Sequence, residues 1–154
     1  MICRHIAEKY ADKGTIGLLG TGTLERASIE QWLLTEAQSF EPPSSALVFH
    51  LAVAPVAGIE TDQTVVEKSK KTLDEVLTIY EQRLEASTYL AGDKFTLADL
   101  SHLPNAHNLL KIPSCRPIFE SKKKVMGWWD KISSRPSWRK VVEMQKGPPP
   151  TPRF

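Results

Sequence analysis

The sequence has few of the features that would fasten a small domain covalently or carry it into a membrane. It holds two cysteines, Cys3 and Cys115, far apart and without paired spacing. That indicates neither a disulfide framework nor a metal knuckle, and points to a reducing, cytoplasmic setting. No long apolar run is present: the most apolar stretch, Ala46 to Ile59, is interrupted by His50, Pro55 and Gly58 and falls short of the ~18 residues that span a bilayer. Arg4, Glu8, Lys9, Asp12 and Lys13 break up the first fifteen residues, so no secretion signal is read there. An excess of one charge is missing too. Twenty Lys and Arg face eighteen Asp and Glu, a net +2, which supplies no general electrostatic reason to bind nucleic acid or an anionic membrane. Convincing strand alternation is found nowhere.

What remains is an ordinary globular composition, 41% hydrophobic and 25% charged over 154 residues. A chain of this size buries about two-thirds of its extended surface, enough for one real core. The apolar spacing is helical throughout, and the fold class is all-α. Ile2, Ile6 and Tyr10 make a short stripe, too short to stand alone in water, where helices below ~12 residues are marginal. Gly14 to Gly22, with four glycines, reads as a plain flexible connector. Leu24, Ile29, Leu33, Ala37 and Phe40 form the next stripe. Glu41-Pro42-Pro43 is expected to interrupt that helix, with Ser44 and Ser45 capping a restart into Ala46 to Ala54.

The firmest helix carries Val66, Ser69, Leu73, Val76, Tyr80 and Leu84 at intervals of three and four. After a Gly92-Asp93 turn, Thr96-Leu97-Ala98-Asp99 has the form of a capping box, and Phe95 and Leu100 stand at the positions of a hydrophobic staple. Pro104 lies inside the helix that follows and is expected to kink it. Pro117 suits a first turn, with Ile118, Val125, Trp129 and Ile132 as one stripe ending before Arg135-Pro136. Trp138, Val141 and Val142 give a last short helix, and Gly147-Pro148-Pro149-Pro150 an extended tail. About six helices with short connectors make a bundle.

Residue types alone assemble no catalytic constellation. The glycines of Gly17 to Gly22 stand in the wrong order for a nucleotide loop, and no strand precedes them. His102 and His107 are five apart, unlike two zinc ligands on one helical face, and read as packed or solvated histidines; no metal is expected. Cys3 has no evident activating base. Lys122-Lys123-Lys124, Lys131, Arg135, Arg139 and Lys140 read as a solvated basic face. Asp99 could in principle be a general base, but the capping box already uses its oxygens.

Several motifs, in this order and spacing, resemble the helical C-terminal domain of plant phi-class glutathione transferases. They are Tyr89-Leu90-Ala91-Gly92-Asp93, Thr96 to Leu100, Ser101 to Asn105, Trp128-Trp129, and Arg135-Pro136-Ser137-Trp138, with Pro42 to Ser45 also pointing to phi. The likeness runs from about Ile2 to Gln145. It implies a glutathione-transferase C-terminal-type bundle over 24–145, preceded by a linker over 14–23 and, over 1–13, a one-helix remnant of a thioredoxin-like domain. A proline-rich tail follows over 146–154. It also implies a detoxifying enzyme that joins glutathione, a co-substrate and not a cofactor, to hydrophobic electrophiles.

The family's glutathione-gripping pair and catalytic serine match no position here, so no catalytic residue is assigned and the chain is expected to be truncated and inactive alone. Phe49 and Val53 match the wall of the hydrophobic second-substrate pocket, sharing one helical face at i, i+4; the alternative is that both fill the core. The other readings are a non-catalytic carrier of hydrophobic ligands and, more weakly, a protein-interaction domain using the basic face. Hydrophobic small molecules are the expected partners, with neither nucleic acid nor membrane. The family's homodimer is doubtful here, and Ile2, Ile6 and Tyr10 would leave uncovered apolar surface that favours self-association.

Overall fold

The computed structural model describes residues 2–146; the tail expected over 146–154 lies, from 147 onward, outside them. Among the described residues every element is helical, apart from an isolated bridge between Tyr89 and Gly92. None of these helices is long and apolar enough to cross a membrane.

Helix α1 (Ile2–Lys9) buries no residue completely. Ile2, Ile6 and Tyr10 are 76%, 49% and 45% exposed, and an Arg4–Glu30 ion pair at 2.6 Å ties the helix to its neighbour. The glycine-rich connector is not loose. Leu18 and Leu19 pack against the core, the Leu18 carbonyl accepts the Leu97 N–H at 2.9 Å, and the Gly20 carbonyl accepts Arg26 Nε at 3.2 Å. Gly20 has φ +74°, and a Cβ there would stand 3.0 Å from Glu25 Cγ and 3.1 Å from Ile29 Cδ1. The glycine is therefore required both by backbone conformation and by close packing.

Helix α2 (Thr23–Thr35), α3 (Glu41–Val48) and α4 (Ala54–Val56) run on without a gap, joined by π-helical turns at Glu36–Phe40 and Phe49–Val53. The interruption expected at Glu41-Pro42-Pro43 is a widened turn and not a break. Proline lacks an N–H and its ring collides with the carbonyl four residues back. A π turn placed just ahead of each proline relieves that conflict, with Glu41 N–H bonded to the Glu36 carbonyl and Ala54 N–H to that of Phe49. Ser44 and Ser45 cap nothing: Ser44 is buried inside α3, and the Ser45 hydroxyl donates to the Pro42 carbonyl at 3.2 Å.

Helix α5 (Gln63–Ala86) begins at Asp62, whose Oδ1 accepts the Thr64 and Val65 N–H groups at 2.9 and 3.1 Å. Its apolar stripe, Val66 through Leu84, is the spine of the core. Helix α6 (Leu97–Lys111) continues through Pro104. The single stripe expected after Pro117 is two helices, α7 (Arg116–Glu120) and α8 (Lys123–Ser133), because Lys122 turns to an extended conformation between them. The first N–H groups of α8 are satisfied from outside: the Glu81 carboxylate of α5 accepts from Lys124 and Val125 at 3.0 and 2.9 Å. Helix α9 (Pro136–Met144) closes the described chain.

At the centre of the bundle Tyr80 is surrounded by aromatic rings. Trp32, His102, Phe40 and Trp128 stand 5.3, 5.4, 6.1 and 6.3 Å away, mostly edge to face. Burying each such ring is worth roughly 1.5–3 kcal/mol, and the edge-to-face geometry about 0.5–1.5 more per pair.

Candidate functional site

The polar residues inside the bundle serve structure, and their geometry shows why. Asp99 is wholly buried at the start of α6. Its Oδ2 accepts the Thr96 N–H at 2.9 Å, while Oδ1 accepts the Leu90 N–H at 3.1 Å and the Trp128 indole N–H at 2.9 Å. Burial raises its carboxyl above the usual range, against the pull of those donors. The carboxylate thus joins the 89–92 turn, the α6 cap and α8, out of reach of solvent.

His102 is equally enclosed. The Ala98 carbonyl can only accept, so Nδ1 carries the ring proton and donates at 2.7 Å; Nε2 is then bare and accepts the Tyr80 hydroxyl at 2.8 Å. Burial holds the imidazole neutral, its pKa lowered to about 4, and the same burial pushes the Tyr80 phenol up. With both nitrogens committed, His102 is a packed histidine. Lys122, counted with the solvated basic face, is instead mostly buried and paired with Asp74.

The surface is where ligand-accessible apolar groups lie. Phe49 and Val53 stand on the second π turn, 41% and 48% exposed, so neither fills the core. Val56 and Ile59, close by in the chain, are 90% and 50% exposed. The segment is held in shape from behind: the His50 carbonyl accepts the Thr61 hydroxyl at 2.9 Å, His50 Nδ1 accepts the Asp62 N–H at 3.3 Å, and the His50 ring meets Phe49 edge-on at 5.2 Å. The prolines that force the π turns therefore determine how this apolar face is presented.

A separate apolar cleft runs between α1, the connector, α6 and α9. It comprises two hollows of about 240 and 200 Å³ that share Thr15, Leu18 and Leu100, with Phe95 on one wall and Ile6 and Tyr10 on another. Arg135 closes one end, its guanidinium 3.9 Å from the Phe95 ring centre and hydrogen-bonded to the Thr15 hydroxyl at 2.9 Å. Phe95 and Leu100 thus line this cleft, and Phe49 and Val53 do not.

This bundle, with its buried carboxylate cap and exposed apolar faces, defines a class. The family model for the glutathione S-transferase C-terminal domain matches residues 34–136, and the chain belongs to that family. Its relatives are F-type, phi-class plant enzymes. Glutathione S-transferase F10 of Arabidopsis thaliana is 44% identical over 140 residues, covering 91% of this chain and 65% of the relative. Glutathione transferase F2 of Populus trichocarpa superposes with a TM-score of 0.91 at 54% identity, covering 94% of this chain and 67% of that one. Poplar glutathione transferase F1 gives 0.88 at 46%, covering 94% and 66%. The chain therefore spans about two-thirds of the length of the proteins it matches.

Several structural residues leave no local mark in the sequence. The polar roles of Tyr80 and Trp128 are not marked by spacing along the chain, although a buried tyrosine hydroxyl or indole N–H usually finds a partner. Glu81 sits on the polar side of its helix and gives no local sign that it caps a helix more than forty positions away.

Proposed function

We propose that this chain provides the helical, second-substrate half of a glutathione transferase that joins glutathione to hydrophobic electrophiles in the cytosol. In this reading residues 1–13 correspond to the last helix of a thioredoxin-like unit, 14–23 to the connector and 24–145 to the helical domain. Phe49 and Val53 form part of the wall that receives the electrophile. The supporting observation is their exposure as a rigidly backed apolar face on a chain 44% identical to a plant glutathione S-transferase.

Conjugation requires the glutathione thiol to be held as a thiolate by a nearby donor and a helix N-terminus, because the thiol itself is a weak nucleophile. Asp99, His102 and Tyr80 inside this bundle are buried and committed to one another's elements, so thiol activation falls to a glutathione-binding domain and substrate selection to this one. Homodimerisation, in which one subunit's glutathione-binding domain packs on its partner's helical domain, belongs to the same proposal.

The test uses the chain alone and the chain fused behind the glutathione-binding domain of a phi-class relative. The chain alone is expected to leave the rate of glutathione attack on a chromogenic aromatic chloride at the uncatalysed level. The fusion is expected to turn over, and Val53→Asp to lower its kcat/KM for the electrophile by about tenfold, roughly 1.4 kcal/mol, leaving the KM for glutathione unchanged. Turnover insensitive to both Val53→Asp and Phe49→Ala overturns the assignment.

A further inference from the structure

Helix α9 is weakly anchored. It buries none of its nine residues completely, and a helix so short has little stability of its own. Trp138 and Val142 are half-buried, yet an open groove of about 350 Å³ is left between α9 and the helices α6 and α8. This groove shares Trp138 with the cleft beside α1 and nothing with the Phe49 face. One end is aromatic. The Trp138 ring meets His107 at 5.6 Å, nearly perpendicular, and the His107 ring lies 6.4 Å from Trp129, tilted by 35°. At the other end the groove reaches Lys146, the last described residue. Ser133, Arg139 and Lys146 place hydrogen-bond donors around it.

From that rim the chain continues as Gly147-Pro148-Pro149-Pro150-Thr151-Pro152-Arg153-Phe154. Proline carries no N–H and fixes φ near about −65°, so a run of prolines favours polyproline II, whose carbonyls all remain free to accept. Grooves that recognise such segments are lined by aromatic rings against which the proline rings pack. This groove offers the rings, and donors for the carbonyls as well. The lengths agree. From Trp138 to Lys146 the groove follows eight steps of near-helical rise, about 12 Å, and the five residues Pro148 to Pro152 cover about 15 Å in polyproline II. Gly147, without a Cβ, lets the chain reverse direction at the rim.

We propose that residues 147–154 fold back along α9 and occupy this groove as a polyproline strap, with proline rings against Trp138 and carbonyls toward Ser133 and Arg139. A one-residue tether holds the segment at an effective concentration in the millimolar range, so the chain's own tail fills the groove ahead of proline-rich segments in free solution. The strap covers the open side of α9 and fixes that helix to α6 and α8. It stands apart from Phe49 and Val53 and does not rest on the transferase reading.

The test is NMR on the full chain with isotope-labelled proline. Nuclear Overhauser contacts are expected between the ring protons of Pro149, Pro150 or Pro152 and the Trp138 indole. The combined variant Pro149→Ser, Pro150→Ser and Pro152→Ser changes no residue of the bundle. In it amide exchange across α9 is expected to quicken by about tenfold, with the α5 amides unchanged. Val142→Glu places a charge in the groove and is expected to abolish the contacts, with thermal unfolding confirming that the bundle folds. Absence of contacts between these prolines and Trp138 in the natural chain, or their persistence in Val142→Glu, overturns the proposal. So does α9 exchange that is the same in the natural chain and the proline variant. Contacts found only between differently labelled chains in a mixed sample also overturn it and assign the groove to the tail of a second copy.

Discussion

The indole N–H of Trp128 donates to Asp99 Oδ1 at 2.9 Å, joining the middle of α8 to the first turn of α6 inside the core. The same oxygen holds the Leu90 N–H, and its companion holds Thr96. One carboxylate thus joins a turn, a helix start and the middle of a second helix, its two oxygens shared among donors from all three.

Removing that carboxylate leaves the Leu90, Thr96 and Trp128 N–H groups without their partner, along with the Thr96 hydroxyl. Asp99→Ala is expected to destabilise the bundle by about 3 kcal/mol or more, lowering Tm by about 6–12 °C. Trp128→Phe, which removes one donor and some volume, is expected to cost less. The double variant should cost less than the sum of the two, because the shared hydrogen bond is counted in both. Thermal unfolding of the four proteins measures this, and strict additivity argues against the shared network.

His102 makes stability fall on the acid side. Its pKa is near 6.5 when unfolded and about 4 in the bundle. The unfolded chain therefore takes up the proton first. The stabilisation is complete above the unfolded value and is lost as pH falls toward the folded one, amounting to about 3 kcal/mol across that window. Urea unfolding at pH 7 and pH 4.5 should show this loss in the natural chain and a clearly smaller one in His102→Leu, whatever that substitution costs at neutral pH.

Glu36 works in the opposite direction. Burial, with the Glu41 carboxylate one π turn away, raises its carboxyl to about 7. The folded state therefore holds this proton longer than the unfolded chain does. The contribution is complete below the unfolded value of 4.5 and is lost as pH rises through about 7. Glu36→Gln, permanently neutral, is expected to raise Tm at pH 8 and to change it little at pH 4.5. Equal shifts at both pH values would contradict the assignment.

Gly20 combines a left-handed φ with neighbours that a Cβ would have to push aside, Glu25 Cγ at 3.0 Å and Ile29 Cδ1 at 3.1 Å. Gly20→Ala is expected to cost about 1–3 kcal/mol through strain and displacement of Ile29. Gly14→Ala, also at positive φ but in open space, should cost less. Hydrogen exchange at the Leu97 amide, which bonds to Leu18, should quicken in Gly20→Ala if the connector is held as described.

By itself the sequence determined the all-α class, the course of α5 from its regular stripe, the region of the α6 start at Thr96, and the family to which these motifs point. Those properties are local or periodic: each depends on residues within a turn or two of one another, so spacing along the chain carries them. Only the tertiary structure decided the rest. Pro42, Pro43 and Pro55 announce a conflict with helix geometry, but whether a helix breaks or widens depends on what its neighbours can bury, and here the bundle keeps it continuous. The Glu81 cap on α8 and the Asp99–Trp128 bond join residues distant in the chain. Such pairings exist only once the helices have packed, because hydrogen bonding and burial act on distances in space and leave no periodic mark along the sequence.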